Sequence, residues 1–246
     1  YMKQGIADPE RKKLYIKLLS DTWEIADQAR LLQLDDISTR YYHDVRKKRT
    51  QDLAAYNTNV LMHILESFND DLAVSGLLSD SNIDAVLKRH EDTQKFMFLQ
   101  TWSNSYWTTE DEADAQGMLK SELIPVNDLC LFTSAVMLSL MECFDLRKLM
   151  WLLDAYQHGN VYVSQRALIG IVFALHIHTH RLDLYPEIAN RLKLLNEENS
   201  FDEDLVRIYR QLLLCQETEK IDKKMREEII PEMLKNVSSM RNMKFG

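Results

Sequence analysis

The sequence predicts an all-α protein, an α-solenoid in which antiparallel helix pairs stack into a right-handed superhelix. Three observations carry this. First, Gly 6 and Pro 4 are few in 246 residues; helix formers dominate, and sustained alternation of β-branched residues is scarce. Second, the apolar run 134–144 is echoed by 166–175 at a spacing of about 32 residues, the size of one helix-pair repeat. Each such pair buries only part of its apolar surface alone, so neighbours must stack on it. Third, the breaks between apolar runs are short and hold residues that start or stop helices.

Taken in order, Asp8-Pro9-Glu10 starts a helix. Asp8 can accept from free backbone N–H groups, and Pro9 needs no partner at the first helical position. The helix is expected to reach Leu34, with Leu14, Leu18, Ile25, Leu31 and Leu32 supplying much of one face and Asp35-Asp36-Ile37-Ser38 breaking it. A short segment with Tyr41, Tyr42 and Val45 then ends in the basic run Arg46-Lys47-Lys48-Arg49. Residues 53–68 read as a helix with Val60, Leu61, Ile64 and Leu65 inward, ended by Asn69-Asp70-Asp71; 72–81 read as a loop or single turn. Ser81 or Asn82 caps a helix to residue 103, with a bend near Glu91-Asp92.

Thr109-Glu110-Asp111-Glu112 fits a capping box, in which hydroxyl and carboxylate satisfy each other's backbone donors. Pro125 marks the break before a central helix, 128–144, apolar enough to be buried on most sides. Asp145 caps the next helix, 146–158, and Gly159 is expected to end it in the left-handed conformation. Further helices follow at 161–178 and from Pro186. Ser200-Phe201-Asp202-Glu203 is a second capping box, opening a helix to Gln216; Thr218 caps the last helix and Pro231 kinks it. The division expected is an N-terminal helical region, 1–118, and HEAT-like helical repeats, 119–246, within one continuous solenoid.

Net charge is −8 at pH 7, which disfavours nucleic acid as a partner. The central helix contains Asp128 and Glu142, whereas a membrane span needs about 20 nearly uncharged residues, so no membrane partner is expected. Cys130, Cys143 and Cys215 are odd in number, lack CxxC spacing and sit in apolar helical runs. They read as buried free thiols in a reducing compartment, which points to the cytoplasm. The chain begins inside what reads as a continuing segment, so a piece of a longer protein is expected.

Several groups of residues invite chemistry. His176, His178 and His180 form the most metal-like cluster. On a helix His176 and His180 share a face, as zinc ligands at i, i+4 do, but no Glu stands where a zinc protease needs it. The ordinary reading is structure or surface, with a metal-binding or enzymatic use as the alternative. Trp102, Tyr106 and Trp107 precede an acidic helix start; aromatics beside acids can hold a cation or a basic peptide, or simply anchor a helix end. Arg46-Lys47-Lys48-Arg49, near Tyr41, Tyr42 and Tyr56, is the segment on which a HEAT-like nucleic-acid binder would rely. Lys220, Lys223, Lys224 and Arg226 alternate with acids and read as a charged surface. Arg166 opens an apolar helix and is expected to pair with Asp128 or Asp154. No Gly-rich phosphate loop, GxSxG, HExxH, EF-hand or paired CxxC occurs, so no catalytic residue and no cofactor are assigned.

The strings Asp8-Pro9-Glu10-Arg11-Lys12-Lys13-Leu14, 128–145, 165–170, 181–187, 217–220 and 227–234, with the opening 1–5, resemble a family of large Bacteroidetes proteins labelled tetratricopeptide-repeat proteins. The resemblance covers nearly the whole chain. It implies an N-terminal, HEAT-like helical segment of a longer protein, with further helical repeats of the same chain as neighbours and no activity to carry over. The Trp/Leu-Gly/Tyr spacing of a tetratricopeptide repeat is missing and the HEAT pattern is partial, so HEAT- or TPR-like describes the fold better than either label alone. The function expected is a scaffold for protein–protein interaction whose partner is a protein or peptide, a basic segment being favoured by the acidic balance.

Overall fold

A computed structural model describes residues 9–48, 58–77, 80–198 and 200–231. Within them there are ten α-helices and no strand. They are α1 (Pro9–Ile37), α2 (Tyr41–Lys48), α3 (Thr58–Gly76), α4 (Asp80–Ser103), α5 (Thr109–Lys120), α6 (Val126–Glu142), α7 (Leu146–Tyr156), α8 (Val161–Ile177), α9 (Pro186–Glu198) and α10 (Phe201–Lys224). A 3-10 segment, Thr179–Leu184, follows α8, and a π-helical turn, Met225–Ile229, follows α10. Asp8, Arg49, Leu53 and Tyr56 lie outside the described residues.

The chain forms two compact units, residues 1–198 and 199–246; residue 118, the boundary expected from sequence, falls inside α5. In the first unit α4, α6 and α8 lie side by side, as α3, α5, α7 and α9 do. The two rows are joined by contacts of α3 with α4, and of α7 with both α6 and α8. The echoed runs are therefore neighbours: Arg166 of α8 donates to Ser134 Oγ of α6 at 3.2 Å. That exposed contact replaces the expected partners, because Asp128 is held by Gln94 and His90, and Asp154 by Gln116 and Arg191.

α6 is buried on most of its circumference, through Leu129, Cys130, Phe132, Ala135, Val136 and Leu140. α8 reaches it closely at Gly170, where a Cβ would stand 3.0 Å from Leu152 Cδ1 and 3.1 Å from Met137 Cβ. An aromatic centre lies beside them. Trp151 meets Phe132 edge-on at 5.2 Å and Trp107 at 6.1 Å, and its indole N–H donates to Ala115 O at 2.9 Å.

Several local expectations shift. The capping box is Thr108 with Asp111, one residue early: Thr108 Oγ1 accepts from Asp111 N while Asp111 accepts from Thr108 N. α3 runs through Asn69-Asp70-Asp71 to Gly76, since Asp71 bonds Ser67 one turn back and does not cap the end. α4 begins at residue 80, so Ser81 and Asn82 lie inside it. Asp145 caps α7 as expected, but Gly159 is not left-handed; Gln157 ends the helix at φ −82°, ψ 0°. In the second unit Ser200 makes no side-chain cap and α10 continues to Lys224, with Thr218 bonded inside it to Leu214 O. Its charged stretch is surface, carrying the pairs Lys220–Glu217 and Arg226–Asp222.

α4 and α6 end in the interior, where their last carbonyls need donors. Cations supply them. Arg46 donates to Ser103 O, Lys148 to Asn104 O and Ser105 O, and Arg30 to Glu142 O. His178 Nε2 donates to Leu140 O at 2.7 Å. Positive charge at a helix C-terminus also opposes the macrodipole. α1 packs on α2 and on the 3-10 segment. The face it buries is not the expected one: Leu31 is buried, but Leu14, Leu18, Ile25 and Leu32 are exposed. Asp27 and Asp35 go inward instead, because Arg181, His43 and Arg46 receive them.

Candidate functional site

Where α1 passes the C-terminal end of α6, it closes one side of a cleft of about 440 Å³. Ser20 and Glu24 come from α1, and Tyr106 and Trp107 from the turn before α5. The α6–α7 turn gives Phe144, Asp145, Leu146 and Arg147, and the 3-10 segment and its end give Arg181 and Tyr185. Each group is there for a local reason. Asp145 must cap α7, so it accepts from Arg147 N at 2.9 Å; its second oxygen accepts from Trp107 N at 2.7 Å, which fixes the 104–108 turn. Lys148 completes this floor. Fully buried, it also donates to Ser139 Oγ at 2.9 Å and stands 3.9 Å from Asp145.

The arginines of the cleft are already engaged. Arg181 donates to Asp27 at 2.6 Å and lies over the Trp23 ring at 4.5 Å. Arg147 donates to Glu112 and to Trp107 O, both at 3.1 Å. Glu24 is exposed and forms no ion pair with a described cation; its neighbour Gln28 donates to it at 3.3 Å. Tyr106 donates to Glu24 O at 3.4 Å, and burial, with a hydrogen bond to Cys143, holds its phenol far above the usual range. Burial likewise raises Tyr185 against the opposing pull of Arg181. Both phenols are thus neutral donors at any physiological pH. The cleft pairs aromatic walls with one exposed carboxylate, Glu24, that no described cation pairs.

Of the aromatic candidates, Tyr106 and Trp107 reach the cleft, Trp107 mainly as its buried wall. Trp102 does not: it packs on Tyr42 at 5.1 Å and Phe98 at 5.9 Å. The histidines diverge. His178 is buried against Leu140 O and Phe144, and its pKa is lowered by burial. His180 is exposed on Trp23 at 4.8 Å, and His176 sits in the last turn of α8. No group of three His, Cys, Asp or Glu side chains converges as metal ligands among the described residues. Arg46 is turned inward, bonding Asp35 and Ser105, which leaves Lys47 and Lys48 as the described surface cations of the basic run. Cys130 and Cys143 are buried thiols, but Cys215 is exposed.

Sequence reasoning missed Glu24, Arg181, Tyr185 and the role of Lys148. A signal existed for the last: Lys148, Trp151, Leu152 and Ala155 follow i, i+3, i+4, i+7 spacing, which puts the lysine on the core stripe. No family model, no curated protein and no solved structure matches this chain. Among the described residues no helix is long and apolar enough to cross a membrane.

Proposed function

We propose that this chain is a HEAT- or TPR-like α-solenoid scaffold of the cytoplasm that holds a basic peptide segment in the cleft beside α1. The observation that carries the reading is the alternation of neighbours, α4–α6–α8 in one row and α3–α5–α7–α9 in the other. Stacked helix pairs produce this order, and such stacks serve as extended binding surfaces. In this reading the resemblance to tetratricopeptide-labelled Bacteroidetes proteins is one of kinship, and further repeats continue the rows.

Charge and shape support the ligand class. The volume of about 440 Å³ lies in the range of small-ligand and side-chain pockets. Arg147 and Arg181 are neutralised by Glu112 and Asp27, so Glu24 is the charge left to meet a partner. A lysine or arginine side chain between Tyr106 and Tyr185 gains ring contact as well as charge.

The test is selection of peptides from a random library on the intact chain, followed by calorimetry. Selected peptides rich in Lys or Arg, weakened about tenfold or more by Glu24→Lys and by Tyr106→Ala, support the reading. Failure to select any peptide, or binding indifferent to both substitutions, overturns it.

A further inference from the structure

α1 is apolar on two opposite faces. Its inner face carries Leu31 and Leu34 with the paired Asp27 and Asp35. On the far side stand Leu14, Leu18, Ile25 and Leu32, exposed by 69, 63, 67 and 65%. At 3.6 residues per turn these four fall within an arc of about 40°. Leu18, Ile25 and Leu32 repeat at the heptad interval, the spacing with which one helix keeps a continuous seam toward another. A helix with one apolar stripe is finished when that stripe meets the core; a second stripe on the opposite side requires a second cover.

The charges along α1 indicate which cover. Its first third holds Arg11, Lys12, Lys13 and Lys17 against Glu10 alone. The remainder holds Asp21, Glu24, Asp27, Asp35 and Asp36 against Arg30 alone. Of these acids Asp21, Glu24 and Asp36 are exposed. On the stripe itself Arg11 stands one turn before Leu14 and Asp36 one turn after Leu32. We propose that the outer face of α1 pairs antiparallel with α1 of a second copy of this chain. With Ile25 on the two-fold axis, Leu18 of one copy lies opposite Leu32 of the other. The basic end of each helix then lies along the acidic end of its partner, and Arg11 comes within reach of the partner's Asp36. Parallel pairing sets like charge on like charge at both ends. A two-fold interface is self-complementary by construction, which is what a helix of opposite end charges supplies to itself.

Sedimentation equilibrium on the intact chain is expected to show a monomer–dimer equilibrium. Ile25→Glu, at an exposed position, places two carboxylates on the axis and is expected to weaken association on the order of 100-fold with the helical circular dichroism unchanged. Orientation is read by disulfide trapping in a Cys215→Ser background, because a disulfide needs facing Cβ atoms about 4 Å apart. Leu18→Cys protein mixed with Leu32→Cys protein is expected to cross-link, and Leu18→Cys alone to stay uncross-linked. A monomer at every concentration, a dimer indifferent to Ile25→Glu, or cross-linking of Leu18→Cys to itself overturns the proposal.

Discussion

α1 and α6 are both rich in aliphatic residues, and they come to opposite ends. α6 meets neighbours on nearly every side, α4, α7 and α8 all packing on it. α1 buries Leu31, Asp27 and Asp35 and leaves Leu14, Leu18, Ile25 and Leu32 in water. The two also solve the problem of polar groups differently. α6 ends inside the protein, so its carbonyls need Arg30 and His178. α1 brings acids inward and so needs Arg181, His43 and Arg46. What decides burial is therefore which face has a neighbour able to complete it, apolar or ionic, and not how greasy the helix is.

The contrast breaks most sharply at Lys148. Lys148→Met leaves the buried acceptors Asn104 O, Ser105 O and Ser139 Oγ without a donor and Asp145 without its nearby cation. The expected loss is about 3–5 kcal/mol of unfolding free energy, measured by urea denaturation. A loss below about 1 kcal/mol means that water replaces the ammonium there and the interior C-termini need no cation.

Adjacent residues on α1 sharpen the same contrast. Leu31 is fully buried and Leu32 is 65% exposed. Leu31→Ala is expected to cost about 2–4 kcal/mol, and Leu32→Ala less than about 0.5 kcal/mol when the chain is dilute enough to be monomeric. Equal losses would place α1 in a different rotation.

The smallest effect is one of pH. Burial holds His178 below its ordinary 6.5, so the unfolded chain binds the proton more readily than the folded one. Its contribution is fully present above 6.5 and is lost as pH falls through the lower folded value. His178→Gln keeps an N–H for Leu140 O and does not titrate. The thermal midpoint of the variant is expected to fall less than that of the parent between neutral and mildly acid pH. Parallel acid limbs would exclude His178 from the acid sensitivity.

Much of the architecture is legible without coordinates. The cap at Asp145, the start at Pro186 and the central helix after Pro125 each follow from a local rule, and each holds. The cleft was legible only in Tyr106 and Trp107, since its other lining residues come from elements far apart in the chain. Arg181 falls between the helices expected at 161–178 and from Pro186, and 154 residues separate it from the Asp27 that pulls it inward.

By itself the sequence determined that the chain is helical and where most helices begin, because propensity, capping and chain breaks act over a few residues. It also determined that two echoed runs would become neighbours. Only tertiary structure decided which face of α1 turns inward, that Lys148 closes the C-terminal end of α4, and that two acids, two tyrosines and two neutralised arginines share one cleft. Helical periodicity fixes which residues share a face, whereas the burial of that face depends on partners that the local sequence does not contain.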